Sequence, residues 1–116
     1  MDCIFCKIIA GEIPSQKVYE DDICYAFADI APQAPVHIVL VPKKHVESLA
    51  QAQVAEQTLL GHLMLAAAKV ARIAGVDEGG YRVLTNIGKD GGQTVFHLHI
   101  HIMGGQVLGP LNCQHP

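Results

Sequence analysis

The sequence predicts one α+β domain, a mostly antiparallel sheet of about five strands with one short and one long helix. Three observations predict it. Short β-branched runs recur between turn residues, and one long window, Val54 to about Ala74, carries helical periodicity. Half of the 116 residues are apolar and 16% are charged, a balance that supports a single core. Residues 1–110 are assigned to that domain and 111–116 to a C-terminal tail.

Cys3 to Ala10 suits a short helix, with Asp2 as N-cap and Gly11 as the stop. Lys17–Glu20 and Ile23–Ala28 read as strands around the turn Asp21-Asp22. Pro32 and Pro35 bracket a loop. Val36–Val41, continuously apolar and ended by Pro42, reads as a central strand covered on both faces. The long helix aligns Leu59, Leu63, Val70 and Ile73 on one side, and Gly75 closes it. Tyr81–Thr85 is a further strand, Asn86–Gln93 a glycine-containing loop, and Thr94–Met103 the last long strand.

Composition excludes several function classes. Net charge is −3, and the eight Lys and Arg are scattered, so no basic stripe exists for a nucleic-acid backbone. No apolar stretch approaches the roughly 18 residues of a membrane span, and Met1-Asp2-Cys3 lacks the basic start of an export signal. The expectation is a soluble, cytoplasmic protein whose cysteines stay reduced rather than forming a disulfide framework. A mean hydropathy of +0.27 hints that a partner covers apolar surface.

The informative segment is Phe96-His97-Leu98-His99-Ile100-His101-Ile102-Met103. On a strand, alternation puts His97, His99 and His101 on one face and Phe96, Leu98, Ile100 and Ile102 on the other. Three imidazoles on one face need partners or a function, because burying them unpaired is costly. The functions open to them are metal binding, or nucleophilic and acid–base chemistry. The preceding loop, Asn86 to Thr94, contains Gly88, Gly91 and Gly92 and side-chain donors from Asn86, Gln93 and Thr94. A neutral imidazole facing such donors suits attack on a phosphoryl group, whose non-bridging oxygens gather charge.

These residues resemble the histidine triad family, in which His-φ-His-φ-His-φ-φ (φ apolar) is carried here by His97 to Met103. The likeness extends through Gly91-Gly92-Gln93-Thr94, Gly104-Gly105, Asp29 to Pro35, His37 and Pro42-Lys43-Lys44-His45, and is strongest to the nucleotide-binding, Hint-like branch. It implies a homodimer whose sheets join across the interface, and a hydrolase acting on the P–N bond of purine nucleoside 5′-phosphoramidates and related AMP conjugates. The nucleophile implied is His99, passing through a nucleotidyl-histidine. Asn86, Gly92, Gln93, Thr94 and His101 match phosphate-contacting positions, and Asp29 the carboxylate that holds the ribose. Phe5, Ile8, Phe27 and Ile30 match the walls of the base site, and His37 a histidine near the nucleophile. No cofactor is implied for catalysis. Some bacterial relatives with this N-terminus bind zinc through positions matching Cys3, Cys6, His45 and His97, which implies a structural zinc here; the alternative is reduced thiols without metal. The tail lacks the tryptophan-containing end of animal members, and Thr94 stands where serine is frequent. Two alternatives stay open: a nucleotide-binding regulator or adaptor with weak catalysis, and a zinc hydrolase whose three triad histidines hold the metal.

Overall fold

A computed structural model describes residues 3–111. The elements run α1 (Ile4–Ile9), β1 (Lys17–Glu20), β2 (Cys24–Ala28), β3 (Val36–Pro42), α2 (Gln57–Ile73), β4 (Tyr81–Leu84) and β5 (Ile100–Gly104). The strands form one five-stranded sheet in the order β1-β2-β3-β5-β4, and every neighbouring pair is antiparallel. The expected α+β architecture is the one observed.

Alternation along β3 divides the interior into two cores. Ile38 and Leu40 point toward α2, joining Cys24, Ala26, Leu63, Val70, Ile100 and Ile102. Val39 and Val41 point the other way, joining Phe5, Ile8, Tyr25 and Phe27 beneath α1. The strand is buried on both faces, as its unbroken apolar run predicts. The functional histidines stand on the α1 side. Val39 pairs with His101, and directly opposite residues share a face.

Several expectations need correction. Residue 2 lies outside the described residues, and Cys3 caps α1, its Sγ accepting from the Cys6 N–H at 3.3 Å. The long helix starts at Gln57, after a 3₁₀ turn over Val54–Glu56 whose backbone is tied by a Gln53–Glu56 capping box. Its buried stripe is Leu63, Ala66, Ala67, Val70 and Ala71, whereas Ile73 is exposed. Gly75 ends it in the left-handed region that favours glycine, with φ +77°. Cys113 and His115 of the tail fall outside the described residues.

The largest correction concerns the last strand. Only Ile100–Gly104 pairs in the ladder, while 94–99 is irregular backbone. β3 stops pairing with β5 at Leu40↔Ile100. Before that point the chain is held crosswise: the Leu98 N–H donates to Val46 O at 2.6 Å, and the His97 ring is bonded to the Pro42 carbonyl. The alternation therefore fails upstream. Leu98, Ile100 and Ile102 do enter the α2 core, but Phe96 is 54% exposed.

Candidate active site

His99 is buried, and its Nδ1–H donates to the carbonyl of His97 at 2.7 Å. A neutral imidazole whose Nδ1 carries the proton has its lone pair on Nε2. Every fully buried side-chain nitrogen and oxygen among the described residues has a hydrogen-bond partner. Nε2 of His99 has no partner among the described residues, so it is not fully enclosed. The ring is braced on one side by Phe5, edge-on at 5.0 Å between centroids, and on the other by His101 at 5.1 Å. The Thr85 hydroxyl pins its backbone by donating to the His99 carbonyl at 2.7 Å.

His101 is oriented by a chain that begins at a backbone donor. The Gln33 N–H donates to His37 Nδ1 at 3.1 Å, which leaves the His37 proton on Nε2. That Nε2–H lies 2.9 Å from His101 Nδ1 and 3.4 Å from Asp29 Oδ2. His101 Nδ1 is therefore an acceptor, and its own proton sits on Nε2, aimed outward as a donor. Burial first, and then the facing rings of His99 and His37, hold the His101 pKa down to about 4. His101 is consequently neutral at ordinary pH and donates as a fixed dipole. His37 touches His101 rather than the nucleophile.

His97 turns away from these rings. Fully buried, it donates Nε2–H to Pro42 O at 2.8 Å and presents Nδ1 to a cluster. Cys3 Sγ lies 3.3 Å from that nitrogen, Cys6 Sγ 3.5 Å and His45 Nδ1 3.1 Å, while Cys6 Sγ stands 3.4 Å from His45 Nδ1. A tetrahedral zinc with Zn–S of about 2.3 Å and Zn–N of about 2.0–2.1 Å requires ligand-to-ligand edges of roughly 3.3–3.8 Å. These four edges fall within a few tenths of an ångström of that, all four ligand atoms lie within 4.8 Å of one another, and the donor set is the two-sulfur, two-nitrogen kind that zinc takes. The Pro42 carbonyl supplies the outer contact that fixes a ligating imidazole. The residues fit the metal. Burial is also the main force lowering the His97 pKa, keeping Nδ1 free of a proton.

The three triad histidines do not converge on one point. Groups of metal-ligand type among the described residues unite His97 with the two cysteines and His45, and His101 with Asp29 and His37. The arrangement is contrary to a zinc hydrolase built on His97, His99 and His101.

Asp29 closes the other side. Its Oδ1 accepts from the Ala31 N–H at 2.8 Å, and it borders a groove of about 480 Å³ lined by Pro14, Ser15, Gln16, Ala28 and Ile30. The volume is in the range of small-molecule sites. Ile30 is 99% exposed on that groove, whereas Phe5, Ile8 and Phe27 are packed into the α1-side core, where Phe5 meets Phe27 and the rings of His97 and His99 edge-on. His99 is not on the groove's wall; Asp29 links the two regions through His37.

The loop residues divide by their engagement. Gln93 is a brace: its amide donates to Glu47 O at 2.7 Å and Val95 O at 3.0 Å, and its Oε1 accepts from the Gly88 N–H at 2.9 Å. No donor of that side chain is left for a phosphate. The Gly92 N–H is likewise used in a turn to Lys89 O at 3.0 Å, with φ +83°. Gly91 is required by crowding, since a Cβ there would stand 2.4 Å from Ile87 O. The side chains of Asn86 and Thr94 have no hydrogen-bond partner among the described residues.

Sequence reasoning names every histidine here but misses what orients them: the His97 and Pro42 carbonyls, the Gln33 N–H and the Thr85 hydroxyl. Three of the four are backbone groups, which leave no residue-type signal. Thr85 alone had one, a hydroxyl at a strand end beside the triad.

The model of the HIT domain matches residues 10–108. This chain belongs to the HIT family. Among HIT relatives, it is 54% identical to a HIT-like protein of Synechococcus elongatus over 107 residues, covering 92% of this chain and 93% of that one. It is 54% identical to the HitA protein of Neisseria gonorrhoeae over 106 residues, covering 91% and 98%. Among solved structures, it is similar to a histidine triad protein from Clostridium difficile, at 52% identity and TM-score 0.91, covering 95% and 96%. A HIT family hydrolase from Clostridium thermocellum matches at 46% identity and TM-score 0.91, covering 94% and 95%.

Proposed function

We propose that this HIT protein is a nucleotide hydrolase that cleaves the P–N bond of purine nucleoside 5′-phosphoramidates and related AMP conjugates. The observation that carries the proposal is the state of His99: its Nδ1–H is held by the His97 carbonyl while its Nε2 lone pair is open. That is an activated nucleophile without a separate base. Similarity to a HIT family hydrolase supports the reaction class.

In this reading the ribose hydroxyls donate to Asp29, and the base rests against the edge of Phe5, Ile8, Phe27 and Ile30. Nε2 of His99 attacks the α-phosphorus. The amine departs with a proton drawn from solvent, and the His97 carbonyl supports the positive charge that the nucleotidylated imidazole acquires. His101 Nε2–H, Asn86 and Thr94 donate to the non-bridging oxygens, while Gln93 and Gly92 hold the loop's shape. Water then displaces His99 and releases the nucleoside monophosphate.

Cys3, Cys6, His45 and His97 are assigned to a structural zinc. When bound, the ion contributes a closed cross-link among α1, the segment after β3 and the triad, with no open position for substrate. A homodimer also belongs to this proposal. β4 is an edge strand, and Met64 and Val83 are exposed on an apolar groove of about 250 Å³ that Leu84 also lines. Among the described residues no helix is long and apolar enough to cross a membrane.

The test is hydrolysis of adenosine 5′-phosphoramidate by wild type and His99→Ala. Turnover to AMP in wild type and its loss in the variant support the enzyme. Slow wild-type hydrolysis unchanged in the variant would instead identify a nucleotide-binding module.

A further inference from the structure

The cysteine pair is wired to the nucleophile by two short paths. Cys3 caps α1 and Cys6 stands one turn on, both on the cluster that surrounds His97 Nδ1. The first path is covalent: the His97 ring enters the cluster, and the carbonyl of the same residue holds the His99 Nδ1–H. The second runs through Phe5, which lies between the two cysteines in sequence. Its ring meets His97 at 6.0 Å and His99 at 5.0 Å between centroids, both edge-on. Anything that alters the first turn of α1 therefore acts on the ring that performs the attack.

The same two sulfurs are suited to another bond. Residues three apart on a helical turn are neighbours, and the Cys6 N–H already touches Cys3 Sγ. Cys6 is the more exposed of the two and lies at the edge of the cluster, where a small oxidant reaches it first. Metal binding and disulfide formation use the same lone pairs, so one excludes the other.

We propose that Cys3 and Cys6 form a thiol–disulfide modification site whose closure expels the zinc and loosens His99. This rests on the proposed reading of His99 as nucleophile and of the cluster as a zinc site. The oxidant is a low-molecular-weight disulfide. Cys6 Sγ attacks one of its sulfurs, the S–S bond breaks, and the first thiolate leaves with the electron pair. Cys3 Sγ then attacks Cys6 Sγ and the second thiolate leaves. Two protein thiolates are oxidised to one disulfide, the external disulfide is reduced to two thiolates, and each takes a proton from solvent. His45 and His97 lose the ion that their Nδ1 atoms faced, and those lone pairs, 3.1 Å apart, separate or share one proton. Either outcome shifts the His97 ring, and with it the carbonyl that positions His99.

The experiment uses the zinc-loaded full chain, titrated anaerobically with glutathione disulfide in the presence of a chromogenic zinc chelator. Three quantities are read: zinc released, the Cys3–Cys6 disulfide by peptide mass spectrometry, and the His99 tautomer from long-range imidazole ¹H–¹⁵N correlations. The expected result is one zinc per disulfide formed, a His99 Nδ1–H signal that shifts or broadens, and at least a fivefold fall in phosphoramidate turnover. A dithiol together with zinc reverses all three. Thiols that stay reduced in excess oxidant, zinc retained after the disulfide closes, or an unchanged His99 signal would each overturn the proposal. If the signal moves but neither state hydrolyses the phosphoramidate, the latch stands and the phosphoramidase reading fails.

Discussion

The chain Gln33 N–H to His37 to His101 makes a quantitative prediction about two histidines that the triad motif alone leaves equivalent. His37 reaches the phosphoryl group by fixing which nitrogen of His101 carries the proton, and the ribose site through Asp29. Its bond to His101 is 2.9 Å long and partly buried, so its net value is about 0.5–1.5 kcal/mol. If that energy is spent on orienting the donor, His37→Phe lowers kcat by roughly 2- to 13-fold, at 1.36 kcal/mol per tenfold. His101→Ala removes the donor itself, which faces developing phosphoryl charge, and costs about 10²-fold. The double variant is the decisive member. Because His37 acts through His101, the pair should be no slower than His101→Ala within about twofold, a coupling that a double-mutant cycle measures. The assay is steady-state hydrolysis of adenosine 5′-phosphoramidate, read in kcat so that effects of His37 on Asp29 and ribose binding stay in KM. A double-variant loss equal to the product of the two single losses, up to about 10³-fold, refutes the relay, since His37 would then act independently.

Three further outcomes follow from the same geometry. Asp29→Asn should raise KM for ribonucleotide substrates by roughly 10- to 100-fold, the worth of hydrogen bonds to a charged acceptor, and reduce the preference over 2′-deoxy substrates; an unchanged ribose-to-deoxyribose ratio removes Asp29 from ribose recognition. His101, held down to about 4 when folded, binds no proton across a range where the unfolded chain does. Stability should therefore fall as pH drops from about 6.5 toward 4, by up to about 3 kcal/mol from this residue; denaturant melts of His101→Phe should show a shallower fall, and an identical slope contradicts the assignment. Finally, Cys3→Ser/Cys6→Ser should lose its zinc and several degrees of Tm yet still become nucleotidylated on incubation with substrate, more slowly than wild type. An adduct strictly dependent on metal would move the ion into the chemistry.

The fold was legible because its signals are periodic and local: the apolar run Val36–Val41 gave the central strand, and the 3.6-residue repeat gave α2. The last strand is shorter than its alternation predicts, because alternating His and apolar residues also suit extended backbone tied down by other means. The Val46 and Pro42 carbonyls supply those ties, and neither is visible as a residue type. The cluster of Cys3, Cys6, His45 and His97 follows from the family resemblance, and the fold brings those four together. Gln93 was legible as a polar loop residue but not as a brace, because whether an amide faces substrate or its own backbone depends on the loop's turn. The bond between Asp21 and His62, at 2.8 Å, fastens the β1–β2 turn to α2 and had no local signal at all, the partners being 41 residues apart.

The most direct measurement is to quench the protein during turnover of a labelled purine phosphoramidate and sequence the trapped adduct by mass spectrometry under neutral conditions that spare P–N bonds. One nucleoside monophosphate per chain, attached to His99, is the predicted result. No adduct in a sample that is turning over, or an adduct on His101 or His62 with His99 unmodified, would contradict the central claim.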